Sequence, residues 1–572
     1  MSSCEAPYTL LGFLLSKGDI DGHDTCFAGS HLLKSYAVRQ VNALLWISLI
    51  VVTGLLVQRI ARLLRFWCQG SRLPGPPCPS FYGHTREIYK GQNPNQFDDL
   101  TEFLSKSHEQ YGPVVRLWMG PTQLLVSVND PELIKEMLHR AVDKLPLTGK
   151  AFRMAFGRSS LFASAFEKVR NGRKSLAMQL DEKLVDTAYA VPAKVVDPIM
   201  ENIDSFISEG VHDCRSVSQQ MSFSILGATL FGDAFLVWAK ARMYEELLMT
   251  IAKDACFWAS YKIPPFWKKS FWRYQHLCKR LKQLTQDILL ESKHQAGVMN
   301  PTEKCSDNIA SNINVFDSFD STSRPENAFT RSEDRAGLME ESYANIMGVM
   351  FHGCLATAGL IGSVLARLVM HPEVQEKIYA EINRVGVQSS LPDAHEVQKM
   401  HFLLATVYES ARLLPAGPLL QRCSLKHDLK LRRNITLPAG AILAVPVQLV
   451  QMDDSSWGSD AHKFNPDRFL LGKDGGANVH EDSGECKDAE GKSFVLNDPN
   501  ANAAFLPFGS GARACVGQRF AILGIATLVA CLVRRYEIRL APGSVKDPKP
   551  AMNDCVLQLL PSPKITFISR DE

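Results

Sequence analysis

No CxxC pair occurs among the 14 cysteines of this 572-residue chain. That removes the spacing of a zinc framework and, at this length, a dense disulfide scaffold. A reducing compartment suits such cysteine usage. No charge of one sign prevails either. Lys and Arg number 63 against 60 Asp and Glu, a net +3, with a pI near 8.1. The balance is too mild for nucleic acid to be a partner by default. Long apolar runs are scarce, and a mean hydropathy of -0.07 excludes a multi-span membrane protein while leaving room for one anchor. No internal repeat is found, which excludes a solenoid. With 46% hydrophobic and 22% charged residues the chain has the composition of a packed body, not of a disordered one. At roughly 150 residues per domain, length alone allows about four domains.

One apolar run does qualify as an anchor. Val41 to Val57 carries no charge, about 17 residues at the short end of what spans a bilayer; a buried core helix is the alternative reading. Arg59, Arg62 and Arg65 follow at helical spacing, with Ile60, Leu63, Leu64, Phe66 and Trp67 between them. Arginines snorkel and aromatics settle at headgroup level in that arrangement. Only Lys34 and Arg39 lie close upstream, so the positive-inside rule places the C-terminal bulk in the cytosol. Residues 1–40 form a polar N-terminal extension whose Lys17, Asp19, Asp21 and Asp24 do not fit a transit peptide.

The expected organisation is that extension, an anchor with its basic interfacial segment over 41–67, a Pro-rich linker over 68–79, and a folded body over 80–572. Leu73-Pro74-Gly75-Pro76-Pro77-Cys78-Pro79 gives the linker its stiffness. In the body, Arg116–Pro121 and Leu124–Val128 read as paired strands, and Pro131 opens a helix over Glu132–Arg140. Long helical periodicity follows. Two polar stretches, 300–341 and 472–502, read as surface insertions.

The most informative stretch runs from Phe505 to Phe520, where a Gly-rich loop leads to Cys515 and then to an apolar helix. Backbone N–H groups aimed at the sulfur, with the positive end of the helix, favour a thiolate. A thiolate with an open site opposite suits haem iron. Gly509-x-Gly511-x-x-Ala514 superficially fits a dinucleotide fingerprint, but Pro507-Phe508 stands where a buried strand belongs. A buried structural cysteine is the other bland reading.

Phe508-x-x-Gly511-x-Arg513-x-Cys515-x-Gly517 resembles the haem-binding signature of the cytochrome P450 family, at every defining position. The resemblance covers roughly residues 73 to 570. Glu409-Ser410-Ala411-Arg412 resembles the family's Glu-x-x-Arg pair, and Phe464 to Phe469 resembles the segment whose arginine, Arg468, completes a structural charge cluster. Pro415, Pro418 and Arg422 follow at family spacing. By resemblance Arg422 and Arg513 contact haem propionates. Phe166 to Arg170 aligns with the family's Trp-x-x-x-Arg, with Phe166 in place of the tryptophan and Arg170 as a further propionate contact.

The resemblance implies a mainly α fold with a small β-rich subdomain, in one large domain instead of several. It implies haem b with Cys515 as the axial iron ligand, on the cytosolic face of the endoplasmic reticulum membrane. Electrons would come from NADPH through cytochrome P450 reductase, and the substrate would be a lipophilic small molecule. Lys168, Arg170, Arg173 and Lys174 offer a basic stretch for an acidic partner, a solvated face being the alternative.

The sequence departs from the family in its central helix. Gly353-Cys354-Leu355-Ala356 stands where Gly-x-acid-Thr is expected, and Thr357 comes next. Leu355 and Ala356 neither donate nor relay a proton. Gly353 and Thr357 are the candidate catalytic positions, with His352 and Cys354 as neighbours. Three functions follow: a monooxygenase, an O2-independent isomerase or dehydratase acting on a hydroperoxide or endoperoxide, and a non-catalytic haem-binding sensor. Substrate contacts are expected within 150–290, where Phe223–Phe231 reads as a greasy pocket or as core. Asn434-Ile435-Thr436 fits a glycosylation sequon, which a cytosolic body leaves unmodified.

Overall fold

A computed structural model describes residues 28–88, 96–143, 145–157, 161–162, 166–182, 190–192, 194–196, 211–261, 265–298, 332–386, 394–424, 426–472, 486–487, 493–544, 551–553, 558–560 and 563–570. The first 27 residues of the expected extension, residues 300–331, and 473–485 with 488–492 lie outside the described residues. The chain divides into two compact units, 1–68 and 69–572, in place of the four that length allows.

The first unit carries most of one helix, Ala28–Ser71. Within Val38–Ser71 its most apolar 18 residues have a mean hydropathy of 2.0, and none of those is buried. At about 1.5 Å per residue such a helix exceeds the ~30 Å hydrocarbon core. The helix is longer than the apolar run predicts: it begins inside the expected extension and carries straight through the arginines. Lys and Arg are good helix formers, so nothing in 58–71 interrupts it before the prolines. A second helical stretch, Tyr343–Met370, has a hydropathy of 1.7 but is 78% buried. It is a core helix.

From Gln69 on, the stretch expected to be a linker belongs to the second unit and packs within it. Leu73 is buried, the Arg116 N–H donates to the Pro74 carbonyl (2.8 Å), and Arg116 Nε donates to the Leu73 carbonyl (2.7 Å). Prolines, lacking N–H groups, suit a strand-edge run that only accepts. The two expected strands form an antiparallel pair, Val114–Trp118 with Leu124–Val128. Ile442–Pro446 joins the second in parallel, and Leu419–Arg422 pairs with Ile442–Pro446. The sheet therefore delivers Arg422 from its edge. The helix Pro131–Arg140 starts at its proline, with Asp130 accepting from the Leu133 N–H.

Helices dominate the rest, as the mainly α expectation has it. The central helix Ser332–Met370 packs along Cys214–Phe231, and His401–Leu413 and Gln518–Arg535 close over it. One expectation changes here, and two become more definite. Residues 332–341 are the first turns of the central helix, not surface loop; their polar Ser-Glu-Asp opening reads as a loop in sequence yet suits a helix N-terminus. Within 472–502, Leu470–Gly472, Cys486–Lys487 and Ser493–Leu496 form an antiparallel sheet. Phe223 and Phe231 are core, packed with Phe235 and Tyr244, and not a pocket wall.

Side chains that bond to backbone lock these layers. Both oxygens of buried Glu381 accept N–H bonds, from Phe402 and Leu403 at 2.9 Å each, and so cap the helix His401–Leu413. Gln375 exchanges two bonds with the Ile538 backbone, at 3.0 and 2.8 Å. His108 bridges the Gly112 carbonyl (2.9 Å) and the Ser127 hydroxyl (2.8 Å). The first contact requires Nδ1–H to donate, so Nε2 accepts from Ser127 and the ring is satisfied while neutral. Burial lowers its pKa. A base depressed in the fold costs stability as pH falls through the ordinary histidine range, near ~6.5, because the unfolded chain takes the proton first. The stability advantage of wild type over His108→Gln should therefore shrink between about pH 7 and pH 5. Denaturation midpoints across that range check it, and a constant gap would refute it.

Candidate active site

The cysteine loop is built from tight backbone turns. The Gly509 N–H bonds the Leu506 carbonyl (2.9 Å), Ala514 bonds Gly511 (3.0 Å), and the Cys515 N–H bonds the Phe508 carbonyl (2.8 Å). Gly511 has φ +72°, and a Cβ there would sit 2.7 Å from the Leu138 carbonyl oxygen. Only glycine lets the loop lie against the end of Pro131–Arg140. Gly517 then opens the helix Gln518–Arg535.

Cys515 keeps accessible surface, although enough chain surrounds it for burial to raise its thiol pKa. Both hold when a side chain faces a cleft inside the fold. The Gly517 N–H and the Arg173 charge pull the other way without prevailing. The loop alone thus falls short of the thiolate that the sequence predicts, and a bound metal cation would have to complete the deprotonation. Among the described residues no group of three His, Cys, Asp or Glu is placed to hold a metal, so a metal at Cys515 has to bring its other ligands with it.

Three arginines share this neighbourhood. Arg513 is buried; its Nε donates to the Val142 carbonyl (3.0 Å) and its guanidinium lies 5.3 Å over the Phe166 ring. Burial, then the charges of Arg173 and Arg422, depress it to about 10, against the pull of Asp143. Arg422 is likewise lowered by burial and by Arg173, and its buried Nε has no hydrogen-bond partner. Arg173 donates to the Ala514 carbonyl at 2.6 Å and is lowered by burial. Arg170, the expected third contact, is exposed instead. Phe166, aligned with the tryptophan, stacks on Arg513, while Val169-x-x-x-Arg173 keeps the same spacing three residues later with Val169 fully buried. The missing tryptophan left that register without a marker.

The charge cluster is closed and dry. Glu409 and Arg412 are both 0% exposed, paired by Nε–Oε2 at 2.6 Å and Nη2–Oε1 at 2.8 Å. Arg468 Nε stands 3.6 Å from Glu409 Oε1 and its Nη1 donates to the Trp457 carbonyl at 2.6 Å. The Asn465 N–H also bonds Glu409 (3.0 Å). Gln451, unmarked by any motif, ties this cluster to the cysteine loop: it donates to the Arg412 carbonyl (2.6 Å) and accepts from the Leu506 N–H (3.1 Å).

The central helix exposes one stripe. From Ala344 to Ala366 only Val349, His352, Gly353, Ala356 and Thr357 keep accessible surface, Ala356 the most. Spacings of three and four put them on one face. Leu355 is buried, and so is Cys354, whose carbonyl accepts from Ser222 (2.6 Å) and whose thiol burial raises well above its ordinary range. Cys354 is packing. Gly353 and Thr357 share the stripe, so the expected catalytic pair lies on one face together.

A flat, doubly carboxylated metal macrocycle fits these residues. Three cations drawn together by burial, Arg422 among them with an orphaned nitrogen, call for anions, and an accessible cysteine offers a sulfur ligand. The comparisons with known proteins agree. The family model "Cytochrome P450" matches residues 74–567. Cytochrome P450 734A5 of Oryza sativa subsp. japonica is 26% identical over 515 residues, covering 85% of this chain and 87% of that protein. The 11-oxo-beta-amyrin 30-oxidase of Glycyrrhiza uralensis is 27% identical over 78% of this chain and 80% of its own. Cytokinin hydroxylase of Arabidopsis thaliana is 24% identical over 76% and 77%.

Proposed function

The chain belongs to the cytochrome P450 family and is a haem-dependent monooxygenase; from that premise we propose that it inserts one oxygen atom of O2 into a lipophilic small molecule, with electrons passed from NADPH by cytochrome P450 reductase. The observation that carries the reading is the accessible Cys515 thiol beside three mutually repelling arginines. Bound haem b supplies dioxygen activation, with thiolate donation favouring O–O cleavage. Cys515 would hold the iron through its sulfur. Arg422, Arg513 and Arg173 hold the carboxylates, guanidinium being suited to that pairing, and the Glu409–Arg412–Arg468 cluster keeps the loop in place through Gln451.

The stripe of Val349, Gly353 and Ala356 is apolar and small, which suits a lipophilic substrate. An oxidase of an amyrin and a hydroxylase of a cytokinin among the relatives support a small organic molecule. They also favour oxygenation over O2-independent rearrangement of a peroxide, the reading that Leu355 and Ala356 otherwise suit. A bulky side chain at 356 would favour the sensor reading, and alanine is the opposite. Exposed Arg170 and Lys174 suit docking of an acidic reductase surface.

Purified protein with a lipophilic extract of its source organism, labelled dioxygen and reductase tests the proposal. Labelled product that requires NADPH is the expected result. Product formed without label or NADPH would replace oxygenation by rearrangement.

The apolar stretch within the helix Val38–Ser71, none of whose most apolar 18 residues is buried, supports a single anchor in the endoplasmic reticulum with the body in the cytosol. Asn434 reports on that orientation. It is exposed at the turn of the hairpin Leu429–Leu431 and Ile435–Leu437, with φ 58°. Expression in microsome-bearing cells should give protein whose mobility endoglycosidase leaves unchanged. A glycan at Asn434 would reverse the topology.

A further inference from the structure

We propose that His352 is the proton donor of this site, in place of the acid and alcohol that Leu355 and Ala356 remove; the inference rests on the oxygenation reading above. His352 lies on the accessible stripe of the central helix exactly one helical step of four residues before Ala356, where β-carbons stand about 5–6 Å apart. Of the stripe's other members, Val349, Gly353 and Ala356 carry no exchangeable proton on their side chains. The Thr357 hydroxyl can pass a proton along but has none to lose near neutrality. An imidazole, unlike these, can carry a proton on either ring nitrogen and pass it on.

The ring is also held. It stacks on Phe152 (centroids 5.8 Å, planes 5° apart) and on Phe162 (5.2 Å, 23°), which stack on each other (5.7 Å, 22°). Gly348, one turn earlier, makes room for them: a Cβ there would collide with Phe162 and sit 2.9 Å from Phe152. Three near-parallel rings drawn from three places in the chain fix the plane of the imidazole. A proton donor needs that positioning, and packing alone would be served as well by a third phenylalanine.

The balance is that of oxygen insertion. Each turnover places one oxygen atom in a C–H bond of the substrate and releases the other as water, taking two electrons from NADPH through the reductase and two protons. His352 gives a proton from a ring nitrogen to the departing oxygen and regains it from solvent. When delivery fails, the two-electron-reduced oxygen takes both its protons from solvent and escapes as hydrogen peroxide.

His352→Phe keeps the ring stack and removes the nitrogens. In the full-length haem protein, with NADPH, reductase, labelled dioxygen and the same lipophilic extract, labelled product per NADPH should fall on the order of 100-fold, with peroxide rising to match. Adding Ala356→Thr to His352→Phe should restore much of the ratio by returning the alcohol. The ferrous carbon monoxide spectrum should not change. Hydrogen exchange at the His352 ring carbon, followed by mass spectrometry without turnover, should be as fast as at an accessible histidine. An unchanged product-to-peroxide ratio in His352→Phe overturns the proposal. So does a loss of product without peroxide that Ala356→Thr fails to rescue, or a ring sealed from exchange. A wild-type protein that makes no labelled product fails the oxygenation reading, and the inference falls with it even where the ring exchanges.

Discussion

Cys515→Ser protein is expected to make no labelled product and to lose the thiolate-type carbon monoxide spectrum, while keeping its fold. Serine is nearly isosteric, so the turn that bonds the residue-515 N–H to the Phe508 carbonyl is undisturbed. Its hydroxyl is far harder to deprotonate than a thiol, and it is the anionic sulfur that donates to the iron. Arg422, Arg513 and Arg173 remain to pair with the two carboxylates. Haem content should therefore fall less than activity does, with the residual haem showing a changed spectrum. Pyridine haemochrome content measured beside labelled turnover separates the two effects. Turnover surviving in Cys515→Ser would remove Cys515 from the role given to it here.

The largest stability effect is expected at the Glu409–Arg412 pair. With both side chains fully buried and bidentate, deleting one charge strands the other out of water, at a cost of about 3–5 kcal/mol. Glu409→Gln additionally weakens its bonds to the Asn465 N–H and Arg468. Arg412→Met leaves the Lys463 carbonyl without its donor and removes the guanidinium 5.0 Å over the Trp457 ring. Denaturant midpoints of the single variants should drop steeply. The double variant Glu409→Leu with Arg412→Met should recover part of the loss, because no charge is then stranded. Single variants within experimental error of wild type would show the pair to be solvated. Because Gln451 links Arg412 to Leu506, haem retention should fall along with stability.

What was legible in the sequence is what sits at fixed spacing on one short segment. The glycines and Cys515 occupy a single loop, and Glu409 and Arg412 lie three apart on one helix, so pattern alone brings them together. The strands Val114–Trp118 and Leu124–Val128 and the helix from Pro131 were equally local. Arg173 was legible only as part of a basic stretch, because its place near Arg422 and Arg513 depends on a register that the aromatic absent here would have marked. Gln451, Glu381 and Gln375 were missed because their partners are backbone atoms far along the chain, and a backbone partner leaves no trace in residue identity. The polar start of the central helix read as loop because capping and first-turn residues have loop-like composition. The accessible stripe needed burial, since Val349, His352 and Thr357 look like ordinary helix residues until their neighbours are known to be covered.

The terminal strand sets a limit on how the protein is made. Lys564–Ser569 pairs with Tyr536–Leu540 on one side and with His212–Asp213 on the other, by Lys564 to Asp213 and Ile565 to His212. The Cys214 N–H reaches the Pro563 carbonyl at 3.0 Å. At about 5–20 residues per second, residues 212 and 213 wait on the order of tens of seconds after synthesis for their partner. Glu381, Gln375 and Gln451 likewise await segments translated later. The loop around Cys515 in turn closes only after Leu138 and Gln451, hundreds and tens of residues upstream, are already made. A chain ended before Pro563 would deprive two strands of the one between them while sparing every residue proposed for the site.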